Sequence, residues 1–217
     1  MKRIDEAVAG RRKALMVSGL RGLAKPKAPA PSAAAAAETE QCDLCGTTIP
    51  PDHRHILNLY ERQIVCVCEG CWGLKSGDAE FRPTGSRTLW LEGFELPEEL
   101  WAQFRIPIGL AFFMFSSVTN CIVALYPSPA GATESELHFE TWERLVGLNP
   151  VLRDLEPDAE ALIVNRMAEP AQFAIAPIDR CYMLVGLVKL AWEGISGGAG
   201  VEEAIAGYFE NLRAVAV

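Results

Sequence analysis

Two CxxC pairs constrain the fold of this chain more than any other feature. Cys42 and Cys45 form the first pair, Cys68 and Cys71 form the second, and 22 residues separate them. Each pair places two sulfurs on one side of a tight turn, and structural zinc takes four tetrahedral ligands that are most often thiolates. A segment this small has little core of its own, so a bound metal would supply about 10 kcal/mol or more of folding free energy. We therefore predict that the four cysteines hold one ion.

The residues that follow each pair bear on which metal is bound. Four thiolates also hold a single iron, as in rubredoxin-like proteins, or an iron–sulfur cluster. Rubredoxin-like sites usually have a CxxCG turn on both sides, whereas here Gly46 follows the first pair and Trp72 follows the second. This difference, together with a helix expected after Cys71, favours zinc, and iron remains the alternative.

Residues 41–80 are predicted to form a small four-cysteine finger of the treble-clef or zinc-ribbon-like kind. Gly46 can take the positive φ that lets backbone amides point at bound sulfur. Residues 54–59 and 63–68 have the composition of two short strands, and a short helix is expected to open at Cys68. This order is that of a treble clef: a turn with two thiols comes first, then a hairpin, then two thiols at the start of a helix.

Three further side chains lie close to the predicted ligands in sequence. Cys66 and Cys68 are two residues apart on a predicted strand and therefore point to the same face. Cys66 is thus a possible alternative ligand in place of Cys68, although a buried thiol beside the site is the simpler interpretation. His53 and His55 also share a face. They either hydrogen-bond ligand sulfurs, replace a ligand, or lie at the surface without metal contact.

Residues 81–217 are predicted to form an α+β domain with an antiparallel sheet. Most of the strand-like segments come before the long helical ones, an order typical of α+β folds. A helix is expected around residues 139–146, a long helix capped by Asp179, and a final amphipathic helix at 201–212. The predicted strands are residues 87–92, 108–117, 121–126, 161–165 and 172–176.

The first 40 residues differ in composition from the rest of the chain. Residues 1–30 carry a charge of +6, whereas the whole chain carries −8. Weak helical periodicity at 4–24 precedes a Pro- and Ala-rich stretch, so we predict a basic arm and linker that are largely disordered. An acidic body is a poor match for phosphates, so a zinc-finger regulator that binds nucleic acid is the weakest of the functional alternatives.

Membrane insertion and secretion are not expected. The longest apolar stretch, residues 106–115, is too short to span a bilayer as a helix. No secretory signal is recognisable at the N-terminus. Five of the seven cysteines fall within residues 42–71, a clustering that favours metal ligation over disulfides. We predict a cytoplasmic protein.

No catalytic set emerges from the sequence, and we predict that the chain is not an enzyme. Cys121 lies in an apolar segment and is expected in the core. Cys181 lies at a helix start, where a thiol pKa can be lowered, but no histidine is near it in sequence. Residues 126–135 are interpreted as a polar loop of the kind that often binds ligands, without the lysine of a phosphate loop.

Six segments of the chain form a distinctive set: residues 42–46, 52–55, 66–71, 82–85, 126–135 and 177–182. In these segments the chain resembles a bacterial protein family of unknown function that is encoded beside certain nickel–iron hydrogenase genes. The resemblance implies an accessory role in assembling, stabilising or passing electrons for a hydrogenase. Its implied partner is a hydrogenase subunit or a maturation protein.

Overall fold

The structure, a computed structural model, describes residues 40–135, 137–194 and 197–217. The predicted basic arm and linker, including the weak helix at 4–24, lie outside the described residues except for residue 40. Their organisation therefore stays a prediction.

The predicted finger contains a hairpin followed by a helix, as expected. Strands β1 (Arg54–Asn58) and β2 (Gln63–Val67) pair antiparallel, and helix α1 (Glu69–Lys75) follows. A third strand, β3 (Phe81–Pro83), pairs with the other edge of β1, giving the order β2-β1-β3. This small sheet therefore includes residues just beyond the predicted finger range of 41–80.

A second, larger sheet forms the centre of the structure. Its six strands are antiparallel and lie in the order β4-β9-β8-β5-β6-β7. The strands are β4 (Leu89–Trp90), β5 (Leu110–Ser116), β6 (Cys121–Ser128), β7 (Gly131–Ser135), β8 (Glu160–Asn165) and β9 (Gln172–Pro177). The mixed architecture with antiparallel sheets confirms the α+β prediction.

Helices cover both faces of the large sheet, because apolar side chains on its central strands alternate between two cores. Phe112 on β5 belongs to one core cluster and Phe113 to the other, and neither is exposed. The other helices are α2 (Glu98–Gln103), α3 (Phe139–Leu148), α4 (Ile178–Ala191) and α5 (Ala199–Ala214), with a 3-10 helix at Pro150–Asp154. Helices α4 and α5 pack their buried side chains into the first cluster, and α2 and α3 pack theirs into the second.

The small sheet packs against the same face of the large sheet as α4 and α5. Leu57 on β1 is fully buried in the first core cluster, and Ile64 on β2 is partly buried against it. An ion pair between Arg62, in the β1–β2 turn, and Glu134 on β7 adds a polar contact. The finger strands are thus held against the larger domain by apolar burial.

Two of the sequence-based interpretations of local structure are wrong. Residues 126–135 are not a polar loop, because β6 continues to Ser128 and β7 pairs with it over residues 131–135. Asp179 does not cap α4, since the helix begins at Ile178 and has no side-chain cap. The Asp179 carboxylate instead lies 3.0 Å from His55 Nδ1.

Strand β4 is also shorter than the predicted strand at 87–92. Arg87 lies outside the strand, and its side chain forms an ion pair with the buried side chain of Glu160. Its guanidinium donates to both carboxylate oxygens of Glu160, at 3.0 and 2.6 Å. The chain approaches this region closely at Gly85, where a Cβ would lie 3.0 Å from the Ala159 carbonyl oxygen. A glycine permits that approach where any larger residue would clash.

Within the described segments, the structure contains no helix with the length and apolar character needed to cross a bilayer.

Candidate metal centre

The first cysteine pair lies in a tight turn that is closed by backbone hydrogen bonds. The Gly46 N–H donates to the Cys42 carbonyl at 2.8 Å, and the Cys42 N–H donates to the Thr47 carbonyl at 2.8 Å. Gly46 has φ of +73°, as the CxxCG pattern predicts. The Cys42 side chain is buried and that of Cys45 is exposed. The turn therefore fixes one thiol in the finger core and one at its surface.

The second pair opens helix α1. Cys68 is the N-cap residue, and its sulfur accepts a hydrogen bond from the Cys71 N–H at 3.4 Å. The Cys68 carbonyl accepts from the Trp72 N–H at 2.8 Å, which starts the helical turn. A Cβ on Gly70 would lie 3.9 Å from the Cys68 sulfur, so the backbone there passes close to the thiols. The amide groups of this turn thus face sulfur, an arrangement that stabilises thiolate.

The structure brings the four cysteines together into a cluster, which we call the four-cysteine cluster: Cys42, Cys45, Cys68 and Cys71. Their sulfur atoms all lie within 4.8 Å of one another. The Cys45 and Cys68 sulfurs are 3.7 Å apart. A tetrahedron with zinc–sulfur bonds of about 2.3 Å has sulfur–sulfur edges of about 3.8 Å. The spacing is that of metal ligands and far too long for a disulfide.

The thiols of this cluster differ in how readily they ionise. Hydrogen bonds from the Thr47 side chain and N–H lower the pKa of Cys45 to about 6. The Cys71 thiol donates to the sulfurs of Cys45 and Cys68, which raises its pKa to about 12. Protons are therefore shared among closely spaced sulfurs, and a divalent cation at their centre would displace them.

A small core holds the two turns in place. Cys42 packs with other buried side chains of the finger, and the partly buried Trp72 lies against them. The side chain of Asp43 accepts from the Cys66 N–H at 2.7 Å, while the Asp43 N–H donates to the Cys66 carbonyl at 2.9 Å. These two hydrogen bonds hold the first cysteine turn against β2. The buried members of this core are Cys42, Ile49, Ile56, Val67 and Phe81.

Cys66 does not group with the four cysteines but with the two histidines. One potential ligand atom each from His53, His55 and Cys66 lies within 4.8 Å of the others. We call this group the His/Cys cluster. Strand β2 ends at Val67, so Cys68 leaves the strand while Cys66 stays on it. Burial raises the pKa of the Cys66 thiol, and the nearby charge of Asp43 adds to that shift.

The two remaining cysteines have opposite surroundings. Cys121, predicted in the core, is exposed at the first residue of β6. Cys181 lies at a helix start, where a thiol pKa can be lowered, but it is fully buried, and burial raises its pKa well above the ordinary value. The thiolate is the reactive form of cysteine, so Cys181 lacks the setting of a nucleophile.

Alkylation should therefore separate these two thiols. In the native protein we expect iodoacetamide to label Cys121 rapidly and Cys181 only after unfolding, because burial both blocks access and keeps the thiol protonated. Peptide mass mapping of native and guanidinium-treated samples measures both rates. Equal labelling of Cys121 and Cys181 in the native protein would contradict the burial of Cys181.

Asp179 is the residue near these clusters that sequence reasoning did not connect to them. It contacts His55 although 124 positions separate the two residues. No local pattern predicts this contact, because it forms only when β1 packs against α4. The resemblance did include residues 177–182, but without assigning them a role.

Comparison with curated proteins and with solved structures finds no match. A protein-family model does match, over residues 41–216, which include both clusters and every helix and strand described above. The chain belongs to the Family of unknown function (DUF5947).

Proposed function

We propose that this protein is a non-enzymatic, metal-binding accessory protein in which the four-cysteine cluster holds one structural zinc ion. The ion fixes the finger as a rigid element that docks on a partner protein. The cytoplasm is the proposed location, because reduced thiols persist there and all seven cysteines, which lie in the described part of the chain, are unpaired.

The arrangement of the four sulfurs carries this proposal. Four thiols from two CxxC turns converge within 4.8 Å, which completes a tetrahedral shell without a vacant position. Closed four-ligand zinc sites are structural, whereas catalytic ones keep a position open. The helix that follows Cys71, in place of a second CxxCG turn, supports zinc over iron.

The finger offers an apolar contact point for a partner. Leu74 on α1 is 81% exposed, and Leu44 in the first cysteine turn is 41% exposed. Leu44 lies within the first CxxC turn and Leu74 lies on the helix that carries Cys71, so a bound metal would hold the backbone of both residues rigid. Exposed apolar residues on a rigid element are suited to docking, since burying them adds affinity while little order is lost.

The class of partner follows from the resemblance described from the sequence. We propose a subunit of a nickel–iron hydrogenase, or a protein that assembles one. The finger would then be one docking surface and the α+β domain a second.

Purification from the native host under anaerobic conditions tests both parts of this proposal. We expect zinc without a thiolate-to-iron charge-transfer band, together with co-purification of a hydrogenase component identified by mass spectrometry. Leu74→Ser should reduce recovery of that component. Leu190→Ser is the matched comparison: Leu190 is 87% exposed but lies on α4, so this variant tests the proposed surface of the α+β domain separately from the finger.

Two results would overturn the proposal in different ways. One iron per chain with a reversible one-electron reduction would make the protein a rubredoxin-like electron carrier. Zinc with no hydrogenase component in any preparation would remove the accessory role while leaving the structural metal site.

A further inference from the structure

The His/Cys cluster is built as a ligand set of its own. We propose that His53, His55 and Cys66 bind a second divalent transition-metal ion of the zinc class, separate from the four-cysteine cluster, with one coordination position open to a cavity. This inference is independent of the function proposed above.

Strand geometry puts the three side chains side by side. His55 on β1 lies directly opposite Cys66 on β2 in the antiparallel register, where facing side chains are closest. His53 precedes His55 by two residues, so the two rings share a face. Their centroids are 4.6 Å apart and the rings meet edge to face. The ligand atoms converge without any movement of the backbone.

His53 has a buried nitrogen with no hydrogen-bond partner. Its Nδ1 lies 2.9 Å from the Pro50 carbonyl oxygen and 3.1 Å from Glu40 Oε2, and because both oxygens accept, Nδ1 carries the proton. In the neutral ring, Nε2 therefore presents a lone pair. The side chain is only 5% exposed, and Nε2 is buried and unpaired. An unsatisfied buried acceptor is costly, and a metal ion is the partner that an imidazole lone pair prefers.

The ring of His55 is also oriented by a hydrogen bond from Nδ1 to an oxygen acceptor. Its Nδ1 lies 3.0 Å from Asp179 Oδ2, so the carboxylate accepts from Nδ1 and leaves Nε2 as the ligand. A carboxylate behind a histidine is the usual outer partner of a metal-bound imidazole, where it fixes the tautomer and increases basicity. The second oxygen, Asp179 Oδ1, is also buried without a partner. It is available to accept a hydrogen bond from water in the adjoining cavity, which Asp179 lines.

The donor set selects the class of metal. Two imidazole nitrogens and one thiolate suit zinc and its first-row neighbours, whereas calcium and magnesium prefer oxygen ligands. Three protein ligands leave a fourth tetrahedral position free, as in zinc sites that bind water or substrate. The site is therefore of the open type, unlike the four-cysteine cluster.

A cavity adjoins the open position. Its volume is about 640 Å³, and its walls come from the finger strands and from the start of α4. The cavity is large enough for water to reach the metal, and its wall carries the charged side chains of Asp52, Asp179 and Arg180. Besides the three ligands, it is lined by Ile64, Asp179, Arg180, Tyr182 and Met183, among others.

Cobalt(II) titration of the full chain tests the proposal, since thiolate charge-transfer and ligand-field bands distinguish the two sites. We expect the wild type to bind two equivalents. His55→Ala and Cys66→Ser should each bind one and keep the four-thiolate bands. The matched controls His138→Ala and Cys121→Ser should bind two, because His138 and Cys121 lie outside both clusters.

A second set of measurements does not depend on whether ligand variants fold. Zinc titration of the wild type, followed by ¹⁵N NMR of the imidazoles, should shift the Nε2 signals of His53 and His55 and leave His138 unchanged. Asp179→Asn should keep the stoichiometry but weaken the second site about 10- to 100-fold, as expected for a positioning residue.

A single equivalent in the wild type, with histidine signals that do not respond to metal, would overturn the second site alone. Histidine shifts in the absence of four-thiolate bands would instead overturn the structural zinc and preserve the second site.

Discussion

Replacement of Cys42 with serine is expected to release the metal from the four-cysteine cluster and unfold the finger. Cys42 is 2% exposed and belongs to the small core beneath the site. That core has only five buried members, so it cannot replace the contribution of a structural zinc ion, which is about 10 kcal/mol or more. Serine fills nearly the same space, but its hydroxyl is a far weaker ligand than a thiolate.

Unfolding of the finger should weaken the rest of the protein as well. Leu57 lies on β1, and its side chain is fully buried in the core between the large sheet and the helices that cover it. Loss of β1 would expose that part of the core to water, so the melting temperature of the whole chain should fall. The His/Cys cluster lies on the same two strands and should lose its metal too. Cys42→Ser therefore removes both metals, whereas Cys66→Ser removes only one.

Metal analysis and hydrogen exchange together measure this effect. In Cys42→Ser we expect protection to be lost in β1 and β2 and retained in β5 and β8, at the centre of the large sheet. Cys121→Ser is the matched control, since its sulfur is exposed and outside both clusters. A Cys42→Ser protein with wild-type metal content would show that Cys42 is not a required ligand. Loss of the metal with protection retained in β1 and β2 would show that the finger folds without its metal.

The sequence was informative wherever a short spacing determined the structure. Both CxxC turns, the positive φ at Gly46 and the hairpin between them depend on residues that are close in the chain. Strands β5 and β8 were predictable because continuous apolar runs of that length indicate buried strands. The four-cysteine cluster could be predicted because it requires only that these two local turns meet in the folded chain.

Contacts that form only in the folded chain account for what the sequence did not predict. Cys66 separates from Cys68 because β2 ends between them and Cys68 becomes a helix cap, which the alternation of side chains along a strand does not show. Strand β7 has the sequence GATES, with little intrinsic strand preference, and forms by pairing with the neighbouring strand β6. The contact between Asp179 and His55 is the one long-range case, because it depends on packing between β1 and α4.

Replacement of Phe112 with alanine is expected to destabilise the large domain strongly. Phe112 lies on the central strand β5, is fully buried, and packs its ring 5.6 Å from that of Tyr182 on α4. Removing a buried phenyl group loses its transfer free energy and leaves a cavity, at a cost of about 3–5 kcal/mol. The rigid sheet on one side and two helices on the other limit how far the cavity can collapse.

Phe115→Ala provides the matched control, because Phe115 lies on the same strand but is partly exposed. Guanidinium unfolding of zinc-loaded protein, followed by circular dichroism, should give a clearly smaller loss for Phe115→Ala. The four-cysteine cluster should keep its metal in both variants, since neither residue belongs to the finger core. Equal losses for the two variants would contradict the placement of Phe112 in the core beneath α4. A large loss for Phe112→Ala with the metal retained would show that this core side chain stabilises the fold without taking part in metal binding.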